Sequence, residues 1–203
     1  MYIRKFTYKA EDVDCTLCTE HLGSNGCPHS ICPFIAERIE AGAVSYQEAI
    51  LSLIPGGCKM SRRLPQLIHD YKDSFWGDSR HKQRMELFNN QLGYIPRRNT
   101  PSYYAAMYLL TANDTLHRRT ANCFCHDGIA FCYAVLPGIS PHNYVLYCAA
   151  CGLQSSARCV TLAEMADPEI IDDEAFRLIV NALLIAKYGT EAFKLKKGVG
   201  CHE

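Results

Sequence analysis

The sequence predicts a mainly α fold: a multi-helix single domain with a cysteine-closed loop near the N-terminus and at most a short β element. Three features predict it. Helix starts and stops recur along the chain, with capping boxes and first-turn prolines at one end and glycines at the other. The stretch EAFRLIVNALLIAKYG, opened by Asp172 or Asp173 and stopped by Gly189, is apolar on almost every face from Ala175 to Ala186. A helix of that kind is enclosed by others, so it is expected at the centre of the second half. Finally, Cys15, Cys18, Cys27 and Cys32 follow the pattern C-x2-C-x8-C-x4-C.

In chain order, Tyr2 to Tyr8 reads as a short strand. Pro33 to Ala41 starts with a proline suited to the first helical position and stops before Gly42. Ser45 and Glu48 form a capping box for a second helix, which Pro55-Gly56-Gly57 ends. Leu64, Leu67 and Ile68 suggest a short helix with Pro65 in its first turn. Asp78 or Ser79 then caps a mostly polar helix running to Leu92, with Gly93 after it. Thr100 and Pro101 open the Tyr- and Ala-rich stretch SYYAAMYLLTA, whose Tyr104, Met107, Tyr108 and Leu110 or Thr111 share a face. Asn113 or Asp114 caps the next helix. Asp127-Gly128 marks a turn, and the following GIAFCYAVL suits either a buried helix or a strand. Ser140-Pro141 opens a helix ending near Gly152, and Thr161 with Glu164 forms another capping box. Thr190 to Glu203 reads as a basic, frayed tail. On this reading residues 1–57 hold the cysteine loop and a helix pair, and residues 58–203 form a helical body, the two parts being separable or continuous.

The cysteine pattern points to zinc. A C-x-x-C pair sets two thiolates on one tight turn, Gly23 to Gly26 let the chain reverse, and Cys27 and Cys32 return as the second pair. Four sulfurs suit tetrahedral Zn(II) and leave no position open for a substrate, so such a site is structural. Two disulfides are the competing reading, and His21 and His29 are possible substitutes for a sulfur. The remaining cysteines include Cys123-Phe-Cys125-His126, Cys132, Cys148-x-x-Cys151 and Cys159. They suit either a second metal site or simple packing, since cysteine is among the most buried residue types without any metal.

The chain has 203 residues, 48% of them hydrophobic, enough for one good core. No apolar run is long enough for a membrane span, and no apolar segment follows the basic start, so neither a transmembrane helix nor a signal peptide is expected. Twelve cysteines without an export signal imply reduced thiols in the cytoplasm. Formal charge is zero but uneven. Residues 1–57 carry 4 Lys/Arg against 7 Asp/Glu, residues 58–98 carry 9 against 4, and residues 99–203 carry 8 against 10. The basic middle suits a nucleic acid or an acidic protein face as partner, or only a solvated helix face. Within it, Phe75, Trp76, Arg80, Lys82 and Arg84 are the candidate partner-binding residues, the aromatics as anchors and the cations as steering charges. Core packing is the alternative for Trp76. Three cations in the first turns of one helix oppose its macrodipole, a cost that an anionic partner would relieve.

No phosphate-binding loop, dinucleotide fingerprint, H-E-x-x-H, G-x-S-x-G or deaminase signature is present. A binding protein is therefore expected rather than an enzyme. The strings CTLCTEHLGSNGCPHSICPFIAERIEAGAVSY, RRNTPSYYAAMYLLT, GISPHNYVLYCAA and ADPEIIDDEAFRLIVNALLIAKYG resemble small proteins encoded on conjugative elements of Gram-positive gut bacteria. Some zinc-binding proteins of such elements are anti-CRISPR proteins. The resemblance thus implies an inhibitor that docks on a type II CRISPR effector and hinders target-DNA loading or cleavage. A nucleic-acid-binding accessory protein of the element, working through residues 58–98, is the second expectation.

Overall fold

The computed structural model describes residues 9–54, 56–155 and 160–198. The strand expected at Tyr2–Tyr8 lies outside them. The described residues are mainly helical, with one two-stranded antiparallel sheet. Helix α1 (Ile35–Ala41) ends at Gly42, whose left-handed conformation (φ 78°) turns its N–H back onto Arg38 and Ile39. In α2 (Tyr46–Leu53) the capping box is reciprocal: the Glu48 carboxylate accepts from Ser45 N–H at 2.8 Å, and Ser45 Oγ accepts from Glu48 N–H at 3.1 Å. Helices α3 (Leu64–His69) and α4 (His81–Leu92) follow. Caps from Thr100, Asn113 and Ser140 open α5 (Pro101–Leu110), α6 (Asp114–Thr120) and α7 (Pro141–Gln154). Thr161 and Asp172 do the same for α8 (Leu162–Ala166) and α9 (Asp173–Tyr188).

Helix α5 packs between α7 and α9 and is the most enclosed element. Tyr103 and every residue from Ala105 to Leu110 are buried. Helix α9 buries nine residues, while Arg177, Leu183 and Ala186 mark its partly open side. Both helices are therefore central, where the apolar run of α9 alone suggested one. Tyr46, Ala49 and Ile50 of α2 join the same core.

Two stretches differ from expectation. GIAFCYAVL forms neither a helix nor a full strand. Gly128–Ile129 (β2) pairs with Phe124–Cys125 (β1), and Phe131–Tyr133 is a 3-10 turn. The Asp127-Gly128 turn folds the run back so early that Ala130 N–H already closes on Cys123 O at 2.7 Å. The tail is not frayed over residues 190–196. Ala192 and Leu195 are buried, Phe193 stacks on Trp76 at 4.9 Å, and Lys196 O accepts from Tyr46 N–H at 2.8 Å. This segment is a 3-10 helix (Gly189–Lys194) followed by extended chain, so its apolar residues follow no 3.6-residue period.

A buried polar network ties the core together. Asn181 of α9 is fully buried; its Oδ1 accepts from Tyr46 Oη at 2.7 Å, and its Nδ2 donates to Phe75 O and Tyr108 Oη at 3.3 Å each. Tyr108 Oη also donates to Phe75 O. His81 is equally buried. Its Nδ1 accepts from Gly77 N–H at 2.9 Å, and its Nε2–H donates to Tyr108 O at 2.7 Å, which fixes a neutral tautomer. Burial drives the His81 pKa down to about 4, the bond to Tyr108 O opposing it and Arg84 adding to the drop. Gly77 is required here because a Cβ would stand 3.0 Å from Ala112 O.

Two outcomes follow from this network. Asn181→Ala strands the Tyr46 hydroxyl and takes one of two partners from the Tyr108 hydroxyl and the Phe75 carbonyl, and urea unfolding should show a loss of about 2–4 kcal/mol, against about 1 kcal/mol for Tyr46→Phe. His81 is neutral when folded and protonates below about pH 6.5 when unfolded, so the unfolded state binds the extra proton. Stability should fall as pH drops from about 6.5 to about 4, by up to roughly 3 kcal/mol, and level off below that. Unfolding curves of His81→Gln across this window should lack that part of the decline.

Candidate metal-binding loop and partner surface

The N-terminal loop is a series of tight turns. Asp14 accepts from Thr16 N–H at 2.8 Å and Thr16 Oγ1 at 2.7 Å, bonds that hold its carboxyl below the usual range. It thereby caps the 3-10 turn Cys15–Leu17. Cys18 N–H closes on Cys15 O at 3.2 Å, so the C-x-x-C pair does sit on a single turn. The reversal comes at Gly23–Asn25, where Gly23 and Gly26 adopt φ of 58° and 68° and Leu22 N–H reaches Gly26 O at 2.9 Å. His29 is paired across the loop with Glu20 at 2.9 Å.

Cys15 and Cys32 lie within electrostatic reach of Arg38 on α1. Burial of the guanidinium works against its charge, but a hydrogen bond with Cys32 and the neighbouring Glu48, Cys15 and Cys32 outweigh it and hold its pKa above the usual value. Cys15 and Cys27 are exposed, and Cys18 and Cys32 are half-buried. Among the described residues, no three His, Cys, Asp or Glu side chains are grouped as a ready-made metal site. The loop has no core of its own, since none of its described side chains between residues 9 and 34 is buried. It exposes Leu17 (83%), Leu22 (59%), Ile31 (47%) and Phe34 (41%).

The five candidate partner-binding residues separate into two groups. Phe75 is buried in an aromatic cluster with Tyr46, Tyr71 and Phe193. Arg84 is buried too. It donates Nε to Thr111 O at 2.7 Å and Nη2 to Ala112 O at 2.9 Å, and it pairs with Asp78 at 2.8 Å. The cation that opposes the dipole of α4 thus serves the carbonyl end of α5, where positive charge is favourable, and needs no anionic partner. Neither residue presents a surface in this fold, which corrects their expected placement. Arg80 and Lys82 are exposed, with Lys82 3.8 Å from Glu86.

Trp76 is half-buried. One face packs on Phe193, and the ring lines an open cavity of about 970 Å³. Arg62, Arg63, Lys72 and Arg177 line it with Asp70, Asp173 and Glu174. Arg63 is already paired with Asp173 at 2.7 Å, donates to Met165 O at 3.0 Å and lies over the Phe176 ring. Arg177 donates to Trp76 O at 3.3 Å. The cavity is therefore mixed in sign and not a channel for a polyanion. Arg62 and Arg63 fell within the basic segment noted in the sequence. Arg177, from far along the chain, gave no local signal.

No family model matches the chain, and no curated protein or solved structure matches it. Among the described residues, no helix is long and apolar enough to cross a membrane. If the quartet holds zinc, Cys15→Ser with Cys18→Ser should lower the zinc content by one ion per chain in elemental analysis. Unchanged content would refute the assignment.

Proposed function

We propose that this chain is a zinc-stabilised binding protein whose N-terminal loop is its docking element. The observation that carries this reading is the loop itself. None of the described side chains of residues 9–34 is buried, yet four large apolar residues are held outward and four thiols lie within one reversal. A segment without a core does not offset the entropy of ordering it, and a bound ion can supply what packing does not. Exposed apolar groups in one short stretch are the usual mark of a protein contact. The ligands would be Cys15, Cys18, Cys27 and Cys32, of which Cys15 and Cys32 lie within electrostatic reach of Arg38.

The occupant we assign is a protein with a basic surface, because residues 1–57 carry 4 Lys/Arg against 7 Asp/Glu. The resemblance to proteins of conjugative elements supports a particular one, the type II CRISPR effector in the host cytoplasm, whose nucleic-acid channels are positively charged. Docking there would hinder target-DNA loading or the later conformational change. The mixed charge of the Trp76 cavity supports a protein partner over a nucleic acid. No catalytic role is assigned to any residue.

A pull-down against the type II effector, with and without guide RNA, tests this. Zinc removal by a chelator, or Leu17→Ser with Phe34→Ser, should weaken capture by at least about tenfold while circular dichroism stays helical. Capture unchanged in metal-free protein would place the interface elsewhere. Binding that instead requires nucleic acid and falls steeply with salt would favour the accessory-protein reading through Arg80 and Lys82.

A further inference from the structure

The β1–β2 hairpin and α7 bring a second set of cysteines together, far along the chain from the first. Cys123 precedes β1 and Cys125 ends it. Cys132 lies in the 3-10 turn Phe131–Tyr133, and Cys148 and Cys151 lie one turn apart on α7. Two hydrogen bonds hold these elements against one another. Ala130 N–H closes the hairpin on Cys123 O at 2.7 Å, and Tyr147 Oη of α7 donates to Phe131 O at 3.0 Å, next to Cys132. Cys123 belongs to two neighbourhoods at once. It lies within electrostatic reach of Cys125 and Cys132 on one side. On the other it is within electrostatic reach of Tyr147, which is in turn within reach of Cys151 and Cys148.

Packing accounts for only one of these residues. Cys123 is fully buried, but Cys125, Cys148 and Cys151 are half-buried and Cys132 is exposed. Small apolar filler has no reason to gather at a solvent boundary. A second observation points the same way. Tyr103 is 99% buried, since its relative exposure is 1%. Its hydroxyl has no hydrogen-bond partner and lies within electrostatic reach of Cys125. An orphaned buried hydroxyl within electrostatic reach of Cys125 is a polar atom still to be satisfied. His126 stays out of the group, exposed and bonded to Asp127 at 2.9 Å.

We infer that Cys123, Cys125, Cys132, Cys148 and Cys151 form a second zinc site, which draws four thiolates from these five residues and staples the hairpin onto α7. Among the described residues the thiols are not grouped as a ready-made site, so they turn inward by side-chain rotation when the ion binds. Soft sulfur ligands select Zn(II) over oxygen-seeking cations. The site is structural, since four sulfurs close the coordination sphere.

The test keeps the two cysteine sets apart. In the full chain, Cys15, Cys18, Cys27 and Cys32 are all replaced by Ser, and the protein is titrated with Co(II). Expected is one equivalent bound with a thiolate-to-cobalt charge-transfer band, which Cys148→Ser with Cys151→Ser abolishes. No band, or a band that survives the loss of Cys148 and Cys151, overturns the assignment. A readout on the unaltered protein does not depend on how the variants fold. Iodoacetamide alkylation of these five cysteines, followed residue by residue by mass spectrometry, should slow at least about tenfold at four of them when zinc is present. Equal rates with and without zinc would also overturn it.

Discussion

The hydrogen-bond network around Asn181 is the constraint on which the rest of the core depends. One amide on α9 fixes Tyr46 of α2, Tyr108 of α5 and the carbonyl of Phe75 in the loop before α4. Each of these groups would be costly to bury alone, and the network is complete only when all four segments are in place. That loop is pinned again from its other end, through Gly77, His81 and Tyr108 O. Arg84 completes the arrangement by closing the carbonyls beyond α5. Register between the helices is therefore set by polar groups, while apolar packing supplies most of the stability.

Outside this network the N-terminal loop follows different physics. It has turns, caps and one cross-loop pair, His29 with Glu20, but no interior. Arg38 and Glu48, 3.4 Å apart, mark where it gives way to packed structure. A surface built in this way can be altered without disturbing the core. A short acidic and apolar stretch exposed to solvent is suited to recognition and contributes little to folding.

Much of the fold was legible in the sequence because capping chemistry is local. Ser45 with Glu48, Thr161 with Glu164, Thr100 before Pro101 and Gly42 after α1 act as their residue types require. Helix α4 was legible from its polar pattern and from Gly93, but not its start: Arg80 stands at the N-cap without a side-chain cap, and Asp78 accepts from Arg80 N–H instead. What could not be read was the destination of side chains. Arg84 looks like a surface cation until α5 is placed beside it. Phe75 and Trp76 are neighbours in sequence, yet the core takes one whole and leaves an edge of the other open. The tail from Thr190 was misread because 3-10 and extended backbone carry no helical period, and its anchors, Tyr46, Tyr71 and Trp76, lie more than a hundred residues away. Of the site, the cysteine spacing and its turn were visible, whereas the nearness of Arg38 to Cys15 and Cys32 was not.

The central claim is that the chain couples a self-sufficient helical core to a loop whose order depends on metal. Native-state hydrogen exchange, read by segment with and without a zinc chelator, tests it most directly. Amides of α5 and α9 should exchange only through global unfolding in both states, while those between Cys15 and Ile35 should lose protection when the metal is removed. Uniform loss of protection across α5 and α9, or a loop equally protected in both states, would contradict the account.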